Sequence, residues 1–190
     1  MDKEYWENFY NNNNKIINDC SNFCLFIIKY FNENNINIKN VLDCGCGNGR
    51  DTYELSKYYN VDGIDNNGYV PEKKENCNFY NDNFITYNKD KYDLIYSRFT
   101  LHSINDEEVL NFLKSIKSNT YLVIETRSDK GSLNNLHHGN THYRNLTNLN
   151  NLILILINLK YQIIYLEENY NFAMYHNENP ICIRIICKKE

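Results

Sequence analysis

Apolar residues along this chain alternate between helical spacing and short continuous runs, which sets out an order of elements. Residues 15–31, KIINDCSNFCLFIIKYF, carry apolar groups three and four apart and predict an amphipathic helix. The polar stretch 32–40 predicts a loop, and 41–44 a buried first strand. Arg50 to Tyr59 predicts a helix, VDGID (61–65) a second strand, 78–81 a third and YDLIYS (92–97) a fourth. NDEEVLNFLKSIKS (105–118) predicts a helix capped by Asn105 or Asp106, with acids in its first turn. TYLVIET (120–126) predicts a fifth strand and LTNLNNLILILINLK (146–160) a further helix. YQIIYLEE and ICIRIICKK predict two final strands, antiparallel to each other. The stretch from Asp65 to Phe79 is short for a helix, so the second crossover is expected to be a bare loop.

Strands alternating with helices imply an α/β fold. The expected form is a Rossmann-like, doubly wound, mostly parallel seven-stranded sheet with an antiparallel C-terminal strand. No linker or repeat interrupts the pattern, so residues 1–190 are expected to form a single domain, with 1–35 as an N-terminal helical cap region. Tyr5, Trp6, Phe9 and Tyr10 are expected to supply a partial lid over a ligand.

Composition narrows the classes. The net charge of -4 argues against nucleic acid as the main partner. The longest apolar run, LILILI at 152–157, is too short to span a bilayer, and the start, MDKEYWENFY, lacks the pattern of a secretory signal. Seven cysteines, an odd number, several inside apolar runs, read as free thiols in a reducing compartment, the cytoplasm. Cys44 and Cys46 are not a CxxC and no second pair completes a metal site, so no metal is expected. About one residue in five is asparagine, and lysine outnumbers arginine 15 to 5. Both biases fit an AT-rich gene, which makes the sparse glycines and arginines the more informative residues.

Three of the seven glycines, Gly45, Gly47 and Gly49, lie in VLDCGCGNGRD at the junction of the first strand and its helix. Glycine there lets a ligand approach the main chain at a helix N-terminus, the arrangement of a nucleotide site. Asp65, about 20 residues on, suits a ribose diol, and Asp82, after the third strand, can accept from an adenine amino group. Asp43 and Asp51 flank the glycines. Two carboxylates repel the pyrophosphate of a nicotinamide cofactor and suit a cation instead, and S-adenosylmethionine carries an ammonium and a sulfonium.

VLDCGCGNGRDT, VDGIDN and YDLIYSRFTLHSI together resemble the successive motifs of class I S-adenosylmethionine-dependent methyltransferases, over a stretch from about Ser21 to the C-terminus. SRFTLHSI, ETRS, HYR and PICIRIICKK most resemble a small bacterial-type subgroup associated with glycan and capsule modification. The resemblance implies that Asp43, Gly45 and Gly47, with Asn48, shape the pocket for the methionine end of the cofactor. It implies Asp65 on the ribose hydroxyls with Asn66 beside the adenine, Asp82 on the adenine amino group, Asn83 or Phe84 flanking the ring, and Ser97 and Arg98 beneath the methionine. The family's fuller helix after the second-strand acid has no counterpart in this sequence.

The acceptor side is less constrained. Methyl transfer to oxygen needs a base, and His102, past the fourth strand, and His142, in the loop past the fifth, are the candidates. Arg127 and Arg144, with Tyr143, stand where they can grip an anionic acceptor. The expected reaction is methyl transfer to a small molecule, a sugar hydroxyl either free or nucleotide-linked. The alternatives are a thiol, metalloid or other small-metabolite methyltransferase and a non-catalytic cofactor-binding subunit. The oligomeric state is left open.

Overall fold

The run Val41–Leu42–Asp43–Cys44 offers no solvent-facing side, and in the computed structural model it lies inside the sheet. The structure describes residues 3–12, 19–68, 70–131, 137–138, 142–174 and 178–190; of Lys3, Glu4, Phe9, Asn11, Asn12, His137, His138, His142 and Tyr143 it describes the backbone alone. The strands are β1 (Asn40–Cys44), β2 (Asn60–Asp65), β3 (Cys77–Asn81), β4 (Leu94–Arg98), β5 (Tyr121–Arg127), a two-residue pair β6 (His137–His138) and β7 (His142–Tyr143), β8 (Tyr161–Asn169) and β9 (Cys182–Lys189). The helices are α1 (Lys3–Asn12), α2 (Asn22–Glu33), α3 (Arg50–Leu55), α4 (Asp106–Lys114) and α5 (Leu149–Asn158).

Seven strands form one sheet in the order β3-β2-β1-β4-β5-β9-β8. Strands β1 to β5 pair in parallel, and β9 runs antiparallel to both β5 and β8. Six strands therefore point one way and β9 alone opposes them, the fold expected from the strand and helix pattern. Helices cover both faces. Phe23, Ile27 and Phe31 of α2 pack with Leu55 of α3 against Val41, Leu94 and Val123. Phe112 and Leu113 of α4 pack with Leu152 and Leu156 of α5 against Leu42, Ile95 and Ile124.

Local chemistry sets the helix ends. α2 begins at Asn22, later than the apolar spacing predicts, because Ser21 is its cap: the Ser21 hydroxyl accepts from the Cys24 N–H at 3.0 Å. The rest of the predicted span includes residues 13–18, which lie outside the described residues. α2 is also a core layer; of the expected cap region, α1 and the described residues 19–22 reach the cavity at the carboxyl ends of the strands. In α4, Asn105 and Glu108 form a reciprocal capping box. Between β2 and β3 no helix occurs among the described residues, in line with a bare crossover.

Charge also crosses the sheet. Arg98, Glu125 and Arg184 are register neighbours on β4, β5 and β9. Arg98 Nε donates to Glu125 Oε1 at 2.9 Å and Arg184 Nε to Oε2 at 2.7 Å, and the carboxylate has no exposure. Replacing Glu125 with Gln leaves two buried guanidiniums without their counter-ion. We expect a loss of roughly 3–5 kcal/mol in urea unfolding, and a loss below about 1 kcal/mol would show that the row does not hold β9 in place.

Candidate active site

Strand order reverses between β1 and β4, and in such sheets a crevice opens beyond the carboxyl ends of those strands. A cavity of about 450 Å³ lies there. The sheet order decides which groups meet in it. β1 carries Asp43 one residue before its end, β2 ends in Asp65, β4 in Arg98 and β5 in Arg127. Acids thus approach from one side and bases from the other.

The turn after β1 exposes main chain. Gly45 and Gly47 have φ of +70° and +54°, left-handed values that favour glycine. A β-carbon on Gly45 would fall 2.3 Å from Thr100 Cγ2, and one on Gly47 2.1 Å from the Tyr10 hydroxyl. Helix α1 therefore seats Tyr10 directly on the turn. Burial raises the Tyr10 phenol well above its usual range, and Asp65 and Cys46 add to the effect.

Buried acids surround this turn. The Thr52 hydroxyl donates to Asp43 Oδ2 at 2.6 Å. The Asp43 carboxyl is pushed up to about 7, chiefly by burial, with the Thr52 hydrogen bond and Arg98 opposing the rise and Asp51 and Asp65 adding to it. Asp65 accepts from the Gly47 N–H at 2.9 Å and the Asn67 N–H at 3.0 Å. Burial raises its carboxyl too, and these N–H bonds offset part of the rise. Asp51 opens α3, where the helix dipole favours a carboxylate. It accepts from the Ser21 N–H, the Ser21 hydroxyl and the Tyr96 hydroxyl, each at 2.7 Å. That triple contact ties the start of α2 to the cavity floor.

Basic groups line the far side. Burial opposes the charge on Arg98, but Glu125, Asp51 and Tyr96 together outweigh it and hold the guanidinium above its usual range. Phe99 has φ of +59°, strained for a non-glycine residue, at a cost of order 1–3 kcal/mol. Its ring lies 4.4 Å from the Arg98 guanidinium, 5.7 Å from that of Arg127 and 5.1 Å from the His102 ring. The Asn145 N–H donates to the His102 carbonyl at 2.8 Å and the Thr147 N–H to the Arg127 carbonyl at 2.9 Å. These two bonds dock residues 145–147 on the site and bring Arg144 beside Arg127. Arg127 Nη2 lies 2.7 Å from Glu178 Oε2, and Arg144 Nη2 lies 4.0 Å from the same oxygen. Burial and then Arg127 lower Arg144 to about 10, with Glu178 acting against them.

Of the positions read from the sequence, Asp43, Gly45, Asn48, Asp65, Phe84, Arg98, His102, Arg127 and Arg144 line the cavity. Gly47 lies behind the Tyr10 hydroxyl. Asn66, Asp82, Asn83 and Ser97 are not brought to the cavity wall. Asp82 is exposed past the end of β3 and accepts from the Asn83 N–H, while Ser97 is fully buried and hydrogen-bonded to Thr100. The side chains of His142 and Tyr143 lie outside the described residues, as does that of Phe9. Among the described residues no cluster of metal-ligating side chains occurs. Sequence reasoning missed Phe99, Thr100, Phe172, Met174 and Glu178, all on the cavity wall. Phe99 had a signal, its place next to Arg98 at a strand end. Phe172, Met174 and Glu178 had none, since only the folding of β8 and β9 brings them back to the site.

A doubly wound sheet in this order, with a glycine turn after β1 and acids near the ends of β1 and β2, defines a class I S-adenosylmethionine-dependent methyltransferase. Residues 16–155 match the family model described as a methyltransferase domain, and the chain belongs to that family. Solved structures share the fold at low identity. A SAM-dependent methyltransferase of Methanosarcina mazei aligns at 19% identity and a TM-score of 0.67, over 84% of this chain and 96% of that one. The 1,6-didemethyltoxoflavin-N1-methyltransferase of Burkholderia thailandensis, solved with S-adenosylhomocysteine, aligns at 15% identity and 0.75, over 99% and 87%. The magnesium protoporphyrin IX methyltransferase of Synechocystis aligns at 12% identity and 0.67, over 100% and 98%. Among curated proteins no sequence matches.

The Asp43 carboxyl has an ordinary value of 3.8 and a folded value of about 7. Between those values the folded state holds the extra proton, so this group's contribution falls as pH rises and is fully lost above about 7. Asp43→Asn should therefore flatten the pH dependence of urea unfolding relative to the wild type. It should gain on the order of 2 kcal/mol at about pH 8 while weakening S-adenosylhomocysteine binding. Parallel pH profiles for the two proteins would contradict the assignment.

Proposed function

We propose that this protein transfers a methyl group from S-adenosylmethionine to an oxygen of a small anionic acceptor, a sugar hydroxyl either free or nucleotide-linked. One observation carries the reading: a single cavity has Asp43 and Asp65 on the side of β1 and β2, and His102, Arg127 and Arg144 on the side of β5. A cationic donor suits the first side and an anionic acceptor the second.

The residues fit the donor. A cation beside Asp43 relieves the cost of its buried charge. Asp65 uses one lone pair on each oxygen for an N–H and keeps others for ribose hydroxyls. In this reading Gly45, Gly47 and Asn48 hold the methionine end, Arg98 its carboxylate, and Phe84 the adenine, with Ser97 fixing the floor through Thr100. Asp82 and Asn83, off the cavity wall, are left out of the set. When bound, S-adenosylmethionine supplies a methyl group activated by its sulfonium.

On the acceptor side His102 takes the hydroxyl proton on a ring nitrogen, with Phe99 packed against its ring. Arg127 and Arg144 orient the acceptor through its anionic group. His142 and Tyr143 directly precede Arg144 in β7 and are the next candidates for base and acceptor contact. The structural neighbours are named for unlike acceptors, a toxoflavin precursor and a porphyrin, so the choice here rests on this chain's residues. The resemblance to a glycan-modifying subgroup supports the sugar. The net charge of -4 supports a small molecule over nucleic acid. Seven free cysteines support a reducing compartment such as the cytoplasm.

The test is production of S-adenosylhomocysteine across a panel of sugar phosphates and nucleotide sugars. Asp65→Ala should weaken cofactor binding about 10- to 100-fold by calorimetry. His102→Ala should lower kcat about 10²- to 10³-fold with the best oxygen acceptor. Full turnover by His102→Ala would remove it as the base, and turnover restricted to thiols would remove the sugar.

A further inference from the structure

Two arginines seldom lie side by side in a protein interior, because each loses its hydration and repels the other. Arg127 is 6% exposed and Arg144 2%, and both line the cavity. The ion pairs described for them run to one carboxylate, Glu178, in the segment that joins β8 to β9. A single oxygen, Oε2, serves both guanidiniums, at 2.7 Å from Arg127 and 4.0 Å from Arg144. Among the described ion pairs one half-exposed carboxylate is thus shared by two buried cations, and the contact to the second is long for a hydrogen bond.

The contrast with Glu125 is informative. Glu125 gives one oxygen to each of its two arginines at 2.9 and 2.7 Å, and its side chain has no exposure. It can leave only by unfolding part of the sheet. The Glu178 side chain is 49% exposed, projects from outside the strands and already touches water. Its carboxylate can rehydrate at little cost once another anion replaces it, since a half-exposed ion pair contributes little net stability.

We propose that Glu178 is an internal stand-in for the acceptor's anionic group. It neutralises the buried Arg127–Arg144 pair while the acceptor is absent, and a phosphate or diphosphate group on the acceptor takes its place. A dianion matches the two cations better than one carboxylate does, and its extra oxygens reach both guanidinium forks. Neutral acceptors cannot displace Glu178, so the residue selects against them. The proposal rests on the acceptor side assigned above.

The test uses the full chain and inorganic phosphate as the probe, titrated by calorimetry at fixed ionic strength. Wild type, Glu178→Gln and the double variant Glu178→Gln/Arg144→Met are compared. Glu178→Gln should bind phosphate about 10-fold more tightly than wild type, and the double variant should lose that gain. Equal phosphate affinity in wild type and Glu178→Gln overturns the proposal. So does a gain that survives in the double variant, or an absence of phosphate binding in Glu178→Gln. Glu178 is half-exposed, so its variant tests the point even where the double variant fails to fold. S-adenosylhomocysteine is titrated on the same samples. A wild type that does not bind it defeats the methyl-transfer reading separately, whatever phosphate does.

Discussion

The carboxylate of Glu125 holds together three strands that are far apart in sequence. It has no exposure and lies between Arg98 on β4 and Arg184 on β9, its register neighbours on either side. A buried charge is tolerated only when its partners are in place, so the row demands that β9 enter between β5 and β8 with one register. Once there, Arg184 reaches past the sheet: Nη2 donates to the Phe172 carbonyl at 3.2 Å, and the guanidinium lies 4.2 Å from the Phe172 ring. The segment that carries Phe172 and Met174 onto the cavity wall is thereby anchored to the same carboxylate that fixes Arg98.

The cavity is electrostatically divided as a result of strand order. Strands β2 and β1 bring acids, β4 and β5 bring arginines, and the sequence of strands across the sheet becomes a sequence of charges across the site. Phe99 stands among the basic groups, with the guanidiniums of Arg98 and Arg127 both near its ring. Its left-handed backbone is a local cost that the turn into the Leu101–Ser103 3-10 helix imposes, and the return is an aromatic surface beside His102.

Much of this was legible in the sequence wherever the signal was local. The glycines after β1, the acids near the ends of β1 and β2, and the Asn105 cap each announce themselves within a few residues, and the alternation of runs gives the parallel sheet. What the sequence hid depends on long separations. Ser21 caps α2 and bonds Asp51, 30 residues away, so apolar periodicity alone started the helix too early. Glu178 lies 51 residues from Arg127, and nothing in either neighbourhood names the other. Asp82 is the converse case: a residue read as an adenine contact at a strand end, which lies exposed past the edge strand β3 and off the cavity wall.

Helix α1 has a practical consequence through one of its side chains. Trp6 is the chain's only tryptophan, and it lines the cavity close to Tyr10. The 17 tyrosines share the molecule with this single indole. Its emission is therefore an optical probe placed by nature at the mouth of the site, and any change of occupant can be followed as a change in colour or brightness, without a label.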